Sequence, residues 1–253
     1  MGIRLIALER PGIGASTPHL YPNIAGWADD VGVIADELAL DQFACVGLSG
    51  GGPFVLACAA AHPERMVAGA ILGGVAPTVG VDAIDGGVVG FSHSFAPLLE
   101  RIHWPVASML QPLIRLALPV RDQCLDLYMA TSPESDRQLF RRADMRAMFM
   151  DDIIRGTRRF AHAPLFDLVL FNRHWGFELS DISVPIHLWQ GDADNIVPLE
   201  HGEHLASLIP NADLRIRPGE SHLGALADDE ETFASILEDW PCPNVQRWVP
   251  ISA

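Results

Sequence analysis

The residues best suited to chemistry form the run Gly47-Leu48-Ser49-Gly50-Gly51, which matches the pattern GxSxG. Apolar residues 43–47 predict a buried strand before it, and residues 50–61 predict a helix after it. A sharp strand-to-helix turn strains the backbone of its apex residue and requires small neighbours, which explains the flanking glycines. N–H groups at the start of the helix favour negative charge there. We therefore interpret Ser49 as a nucleophile; the alternative is a glycine-rich turn without chemistry.

A serine hydroxyl is a weak nucleophile unless a base accepts its proton, and the sequence offers a base and an acid in a fitting order. Asp194 lies in the turn after predicted strand 185–190, and His222 lies in the turn after predicted strand 213–217. In open α/β sheets, sites form at the carboxyl ends of the strands, where Ser49 also lies. We expect His222 to act as general base and then acid, and Asp194 to orient its ring.

Each of these assignments has an alternative. Asp192 is a rival for the role of the acid, although an aspartate at that position is also typical of a turn. His222 could be an ordinary surface histidine in a loop. The order Ser, Asp, His along the chain matches the order expected for a catalytic triad on this architecture, which favours the catalytic interpretation of all three.

The elements that must position these residues alternate between strand and helix. Residues 3–8 are apolar apart from Arg4, which is typical of a strand in a sheet covered on both faces. Hydrophobic periodicity predicts further strands at 43–47, 67–73, 185–190 and 213–217, and helices at 25–39, 50–61, 199–208 and 223–239. This alternation predicts an α/β fold with a mostly parallel sheet and helices on both faces.

The middle of the chain, residues 78–178, has no convincing strand and shows helical periodicity, with many Met, Trp, Phe and His residues. We interpret it as an inserted helical subdomain. The apolar stripe taken alone favours an ordinary helical core; an apolar lid over a pocket becomes the better interpretation if the insertion covers an active site. The predicted organisation is therefore a core in two parts, 1–77 and 179–253, with a helical lid at 78–178.

Five motifs in this order resemble the α/β-hydrolase superfamily, of the lidded type similar to small esterases and lactonases. They are RPGIGAS at 10–16, GLSGGG at 47–52, AHPERM at 61–66, GDADNIVP at 191–198 and GESHLG at 219–224. The resemblance covers almost the whole chain. It implies Ser49 as nucleophile, Asp194 as acid, His222 as base, residues 78–178 as the lid, and no cofactor or metal. Related dehalogenases and epoxide hydrolases have Asp at the nucleophile position, so Ser49 argues against both activities.

One feature departs from the family pattern. In the family the RPGxGxS segment follows the fourth strand, and a loop of HG type after the third strand supplies one N–H of the oxyanion hole. The residue after the nucleophile, here Gly50, supplies the other N–H. The sequence starts at the equivalent of strand 4, and its HG pair, His201-Gly202, follows the acid instead. We expect half of the oxyanion hole to be missing, either because the chain is shortened or has a misassigned start, which we favour, or because it is a degraded member with weak or no activity.

The composition excludes several other functions. The chain has 253 residues with 32 acidic residues against 17 basic ones, all Arg, so its net charge of −15 offers no surface for nucleic acid. We expect no secretory signal, because the opening MGIRLIALERP does not combine a charged n-region, an apolar core and a small-residue cleavage site. We expect no membrane span, because no apolar run approaches about 20 residues. We also expect no metal site, because no HExxH or CxxC occurs. Free thiols and a cytoplasmic location fit the spacing of the four cysteines, Cys45, Cys58, Cys124 and Cys242.

Two functions from different classes remain. The first is a serine hydrolase that cleaves a carboxylic ester or similar acyl bond through an acyl-enzyme, with a variant that transfers the acyl group to an acceptor other than water. The apolar lid favours a small-molecule substrate with an apolar acyl or alcohol group. The second is a ligand-binding or structural protein of this fold that does not catalyse. The sequence leaves the particular substrate and the oligomeric state open.

Overall fold

The computed structural model describes residues 2–87, 95–158, 160–227 and 229–241. Its strands are β1 (Ile13–Gly14), β2 (Phe43–Leu48), β3 (Met66–Leu72), β4 (Phe160–Ala161), β5 (Ile186–Gly191) and β6 (Ala212–Arg217). Its helices are α1 (Gly26–Glu37), α2 (Gly52–Ala61), α3 (Ala96–Ala117), α4 (Arg121–Thr131), α5 (Glu134–Arg141), α6 (Ala143–Gly156), α7 (Ala163–Phe171), α8 (Leu199–Leu208) and α9 (Asp229–Asp239).

The central sheet consists of four parallel strands in the order β2-β3-β5-β6. Strand β5 is buried along its whole length, including its polar residues His187 and Gln190. Leu48 at the end of β2 pairs with Leu72 of β3, which in turn pairs with Trp189 of β5. Because all four strands are parallel, the turns that carry chemistry leave the sheet at one edge. The predicted α/β fold with a mostly parallel sheet is confirmed.

Helices cover both faces of the sheet. Side chains of α1, α2 and α8 belong to one buried cluster with Ile71 of β3, whereas Ile236 of α9 packs against Ala68 and Ala70, which point to the opposite face. Helix α2 is apolar on all sides and almost wholly buried, because it lies between the sheet and α1. Pro53 is tolerated in its first turn, where a helix leaves backbone N–H groups unpaired.

The predicted strand at residues 3–8 is wrong. These residues form no regular structure, and their apolar side chains are exposed, Leu5 at 72%. An apolar run becomes a strand only when a neighbouring strand takes up its N–H and C=O groups. Among the described residues, no strand pairs with residues 3–8, and β2 has β3 as its one strand neighbour.

The predicted helix at 223–239 begins later than expected. Its regular part is α9 (Asp229–Asp239), and a 3-10 turn at Gly224–Ala227 precedes it. The N–H of Leu223 donates to the Asp136 carboxylate, and the N–H of Gly224 donates to the carbonyl of Ser221 in a turn. These bonds hold the chain around His222 in a turn instead of a helix.

Between β3 and β5 the described residues form five helices, α3 to α7, which we call the helical insertion. The insertion also carries the two-residue strand β4, which pairs with β1 in an antiparallel bridge. A buried cluster in α4, α5 and α6 packs against Leu223, beside His222. None of the described helices combines the length and apolarity needed to cross a bilayer. The division of the chain at 77/78 and 178/179 stays a prediction.

Candidate active site

Ser49 lies at a strained turn between β2 and α2. Its φ is +54°, in the left-handed region, which costs a residue other than glycine about 1–2 kcal/mol. A 3-10 turn at Ser49–Gly51 follows, and α2 begins at Gly52. The backbone strain and the half-buried side chain are the geometry expected of a nucleophile elbow.

The glycines around Ser49 have different structural roles. A Cβ atom at Gly47 would lie 2.7 Å from the backbone carbon and oxygen of Gly51 and 2.8 Å from Val55. A Cβ atom at Gly50 would lie 2.9 Å from the ring of Phe171 in α7. At Gly51 no atom lies within 4 Å of such a position. The turn is therefore so tight that Gly47 is required, whereas Gly51 is free to carry a side chain.

This difference gives a test of the turn. Gly47→Ala is expected to lower the free energy of unfolding by about 1–3 kcal/mol, because backbone atoms must move to admit the methyl group. Gly51→Ala is the matched control and should change it by less than about 0.5 kcal/mol. Urea denaturation of both variants measures the two values. Equal losses in both variants would contradict the described packing of the turn.

Asp194 and His222 form a buried pair. His222 Nδ1 lies 2.7 Å from Asp194 Oδ2, and the side chains are 7% and 0% exposed. Asp194 Oδ1 accepts hydrogen bonds from the N–H groups of Ile196 and Val197, at 2.8 and 2.9 Å. Oδ2 also accepts one from Gln190 Nε2, at 3.2 Å. A carboxylate fixed by this many donors holds the imidazole ring in one orientation and, when His222 donates from Nδ1, leaves Nε2 free as a base.

The Asp194–His222 pair lies beside the carboxyl end of β3, the strand next to the one that Ser49 follows. Ser49 follows Leu48, and Gly73 follows Leu72, its register partner in β3, so the two residues leave adjacent strands about 4.8 Å apart. A Cβ atom at Gly73 would lie 3.3 Å from His222 Nδ1 and 3.5 Å from Asp194 Oδ2. The fold thus brings the three predicted residues to the same edge of the sheet, with Gly73 leaving space for the pair.

A cavity of about 280 Å³ opens beside Ser49. Its walls come from the elbow, from the segment around Arg10, from the turn after Asp194 and from α7. Most lining side chains are apolar, and the charged ones are Arg10 and Asp167, which form an ion pair. Burial raises the pKa of the Asp167 carboxyl, and the Arg10 guanidinium opposes that shift. The cavity is suited to a small, mainly apolar molecule.

Comparison with known proteins agrees with the fold described above. A sequence model of the alpha/beta hydrolase fold family matches residues 2–228 of the chain. The chain belongs to this family. The family therefore accounts for the parallel sheet with helices on both faces.

Solved structures show the same fold. A hydrolase from Pseudomonas aeruginosa PA01 is 20% identical, with a TM-score of 0.60 over 91% of this chain and 77% of that one. A thermophilic esterase from Thermogutta terrifontis is 17% identical, with a TM-score of 0.57 over 90% and 75%. The esterase RhEst1 from Rhodococcus sp. ECU1013 is 22% identical, with a TM-score of 0.55 over 90% and 76%. At these identities the likeness shows the fold alone.

Other polar residues near the site of this alpha/beta hydrolase have structural partners. Asp192, the rival acid, is exposed, and its Oδ1 accepts from the N–H of Gly219 at 2.6 Å. The ring of buried His201 bonds to the N–H of Ala76 through Nδ1 and lies near the Gly86 carbonyl, and burial lowers its pKa. The pair His201-Gly202 therefore fixes loops and is not an oxyanion loop. The described residues contain no cluster of three His, Cys, Asp or Glu side chains that could hold a metal ion.

Sequence reasoning missed the residues that support His222. In α5, Ser135 Oγ accepts the N–H of Ser221 at 3.1 Å, and Asp136 Oδ1 accepts the N–H of Leu223 at 3.3 Å. Asp136 is only 1% exposed. A buried aspartate in a helix is unusual and requires partners, but its burial is visible only in the folded structure. Helix α5 of the helical insertion thus holds the backbone N–H groups of the residues directly before and directly after His222.

Proposed function

We propose that the chain is a serine hydrolase that cleaves a carboxylic ester or a similar acyl bond. The oxygen of Ser49 attacks the carbonyl carbon while Nε2 of His222 accepts the hydroxyl proton. His222 returns this proton to the leaving alcohol, and a water molecule then releases the acyl group from Ser49 by the same route. Asp194 holds the ring and stabilises the imidazolium ion that forms. The buried His222–Asp194 pair beside the Ser49 elbow is the observation that carries the proposal.

An oxyanion hole requires backbone N–H donors close to the nucleophile. We assign one donor, the N–H of Gly50, which lies in the 3-10 turn directly before α2, where the dipole of the following helix favours negative charge. The loss of a single oxyanion donor typically costs about 10²–10³-fold in rate. The N–H of Gly50 is therefore expected to contribute substantially to the rate.

The substrate class follows from the cavity. Its apolar walls and its volume of about 280 Å³ favour a short, apolar acyl or alcohol group. Two of the similar structures are esterases, which supports an ester. A cytoplasmic location also belongs to the proposal, since Cys45, Cys58 and Cys124 are free thiols.

A fluorophosphonate probe tests the proposal, because it labels only an activated serine. We expect covalent labelling at Ser49, located by peptide mapping, and hydrolysis of 4-nitrophenyl esters with short acyl chains. A folded chain that neither labels nor cleaves these esters would favour the non-catalytic alternative.

Support of the His222 loop by α5 gives a separate prediction. Asp136→Ala removes the acceptor for the N–H of Leu223, so kcat for a 4-nitrophenyl ester is expected to fall about tenfold or more through misplacement of the ring. KM should change little, because Asp136 does not line the cavity. Asp136→Asn keeps an acceptor oxygen and should restore most of kcat. An equal loss in both variants would contradict the positioning role.

A further inference from the structure

The ion pair of Arg10 and Asp167 joins two parts of the chain inside the wall of the cavity. Arg10 Nη1 and Nη2 donate to the two carboxylate oxygens of Asp167, at 2.6 and 2.8 Å. Arg10 precedes β1, whereas Asp167 lies in α7 of the helical insertion. The side chains are 22% and 17% exposed, and the guanidinium carbon of Arg10 lies 4.2 Å from the centre of the Phe54 ring. The pair is thus rigidly held and largely removed from water.

The Arg10–Asp167 ion pair supplies the charged side chains of a cavity whose lining is otherwise mostly apolar. The same cavity is lined by Ser49, and the remaining lining residues in the described part of the chain are apolar or glycine. In a cavity of this kind, the few polar groups determine which substrates bind. A bidentate pair uses two of the five guanidinium N–H groups and presents no net charge. A substrate carboxylate that approached Arg10 would also meet the negative charge of Asp167.

We propose that Arg10 and Asp167 determine the charge selectivity of the cavity, with Asp167 occupying the place on Arg10 that a substrate carboxylate would otherwise take. The chain therefore accepts uncharged acyl groups and excludes anionic ones, because like charges in a poorly hydrated site repel strongly. The proposal rests on the proposed hydrolase function and adds to it a substrate class, namely uncharged esters. It also gives α7 a specific part in substrate choice.

Two esters that differ only in charge test the proposal. One is 4-nitrophenyl hydrogen glutarate, which carries a free carboxylate; the other is its methyl ester, which is neutral. The measured quantity is the ratio of kcat/KM for the anionic ester to kcat/KM for the neutral one, after correction for uncatalysed hydrolysis. Taking this ratio within each variant cancels changes in the catalytic step that affect both esters.

Asp167→Asn frees the charge of Arg10 while keeping the shape of the side chain. We expect the ratio to rise about tenfold or more, which is the size of a hydrogen-bonded contact between Arg and a carboxylate. The double variant Arg10→Gln with Asp167→Asn should return the ratio to near the wild-type value. Asp151→Asn is the matched control, since it removes the partner of Arg155 on the exposed surface of α6 and should leave the ratio unchanged.

Arg10→Gln provides a second test if Asp167→Asn does not fold, which thermal unfolding would reveal. At a pH above the raised pKa of Asp167, this variant leaves a negative charge without its positive partner. We therefore expect a lower ratio and a gain for the 4-nitrophenyl ester of 4-(trimethylammonio)butyrate, which is cationic. An unchanged ratio in folded Asp167→Asn, or an equal rise for both esters, would overturn the proposal.

Failure of the hydrolase function is distinguishable from failure of this inference. If no variant cleaves either ester, the proposed function fails while the charge selectivity is still measured by calorimetry. The quantity measured is then the ratio of the Kd for monomethyl glutarate to the Kd for glutarate. We expect this ratio to be larger for Asp167→Asn than for the wild-type chain. The same ratio in both proteins would overturn the inference without reference to turnover.

Discussion

Ser49→Ala is expected to abolish ester hydrolysis, with kcat reduced by about 10⁴-fold or more. The reason is chemical rather than structural. Alanine offers no oxygen at the apex of the turn to attack the carbonyl carbon, so no acyl-enzyme can form. The measurement is steady-state hydrolysis of a 4-nitrophenyl ester, together with loss of fluorophosphonate labelling.

The fold should not be damaged by this change, because serine and alanine suffer the same strain at a φ of +54°. Ser49→Gly should relieve that strain and raise the free energy of unfolding by about 1 kcal/mol while remaining inactive. Ser207→Ala, at an exposed serine of α8 whose hydroxyl donates to the His204 carbonyl, is the control that should label and turn over normally. Retained labelling in folded Ser49→Ala would refute the assignment of the nucleophile.

The central strands could be predicted from sequence because burial on both faces imposes an uninterrupted apolar run. Strand β3 is the clearest case, since its sequence MVAGAIL is apolar throughout and six of its seven residues are buried. Residues 3–8 carry the same local signal but form no strand, because a strand also needs a neighbour that sequence periodicity does not show. A local pattern thus indicates what a segment can form, and pairing determines what it does form.

The candidate site was predictable to the extent that it depends on strand ends. Ser49, Asp194 and His222 follow β2, β5 and β6, and parallel strands bring their carboxyl ends to one edge. The supporting groups have no comparable signal. Asp167 pairs with Arg10 across 157 residues of sequence, and Asp136 meets the N–H of Leu223 across 87. Contacts of this kind depend on how the helical insertion packs, which no motif encodes.

Both of these long-range contacts involve the helical insertion, and they act on different parts of the site. Helix α5 holds the backbone around His222, whereas α7 supplies Asp167 to the cavity wall. The first contact affects the orientation of the proposed base, and the second affects which substrates fit. Variants in α5 should therefore change kcat, and variants in α7 should change the choice of substrate, so kinetics can separate the two roles.

Asp194→Asn is expected to lower kcat by about 10⁴-fold, because it reverses the tautomer of His222. The orientation of the new amide is determined by its neighbours. The N–H groups of Ile196 and Val197 both point at the Oδ1 position, so the amide oxygen must occupy it. The NH₂ group then faces His222 Nδ1, which becomes an acceptor. The proton moves to Nε2, where the ring can no longer accept a proton from Ser49.

The same replacement has a structural cost that serves as an internal check. The new NH₂ group faces Gln190 Nε2, which is also a donor, so a buried hydrogen bond becomes a contact between two donors. We expect a loss of about 1–3 kcal/mol in the free energy of unfolding, measured by urea denaturation. Asp192→Asn is the matched control, because this exposed aspartate bonds only to a loop N–H and should keep kcat within about tenfold. If Asp192→Asn caused the larger loss of kcat, Asp192 and not Asp194 would be the acid, and the buried pair would be structural.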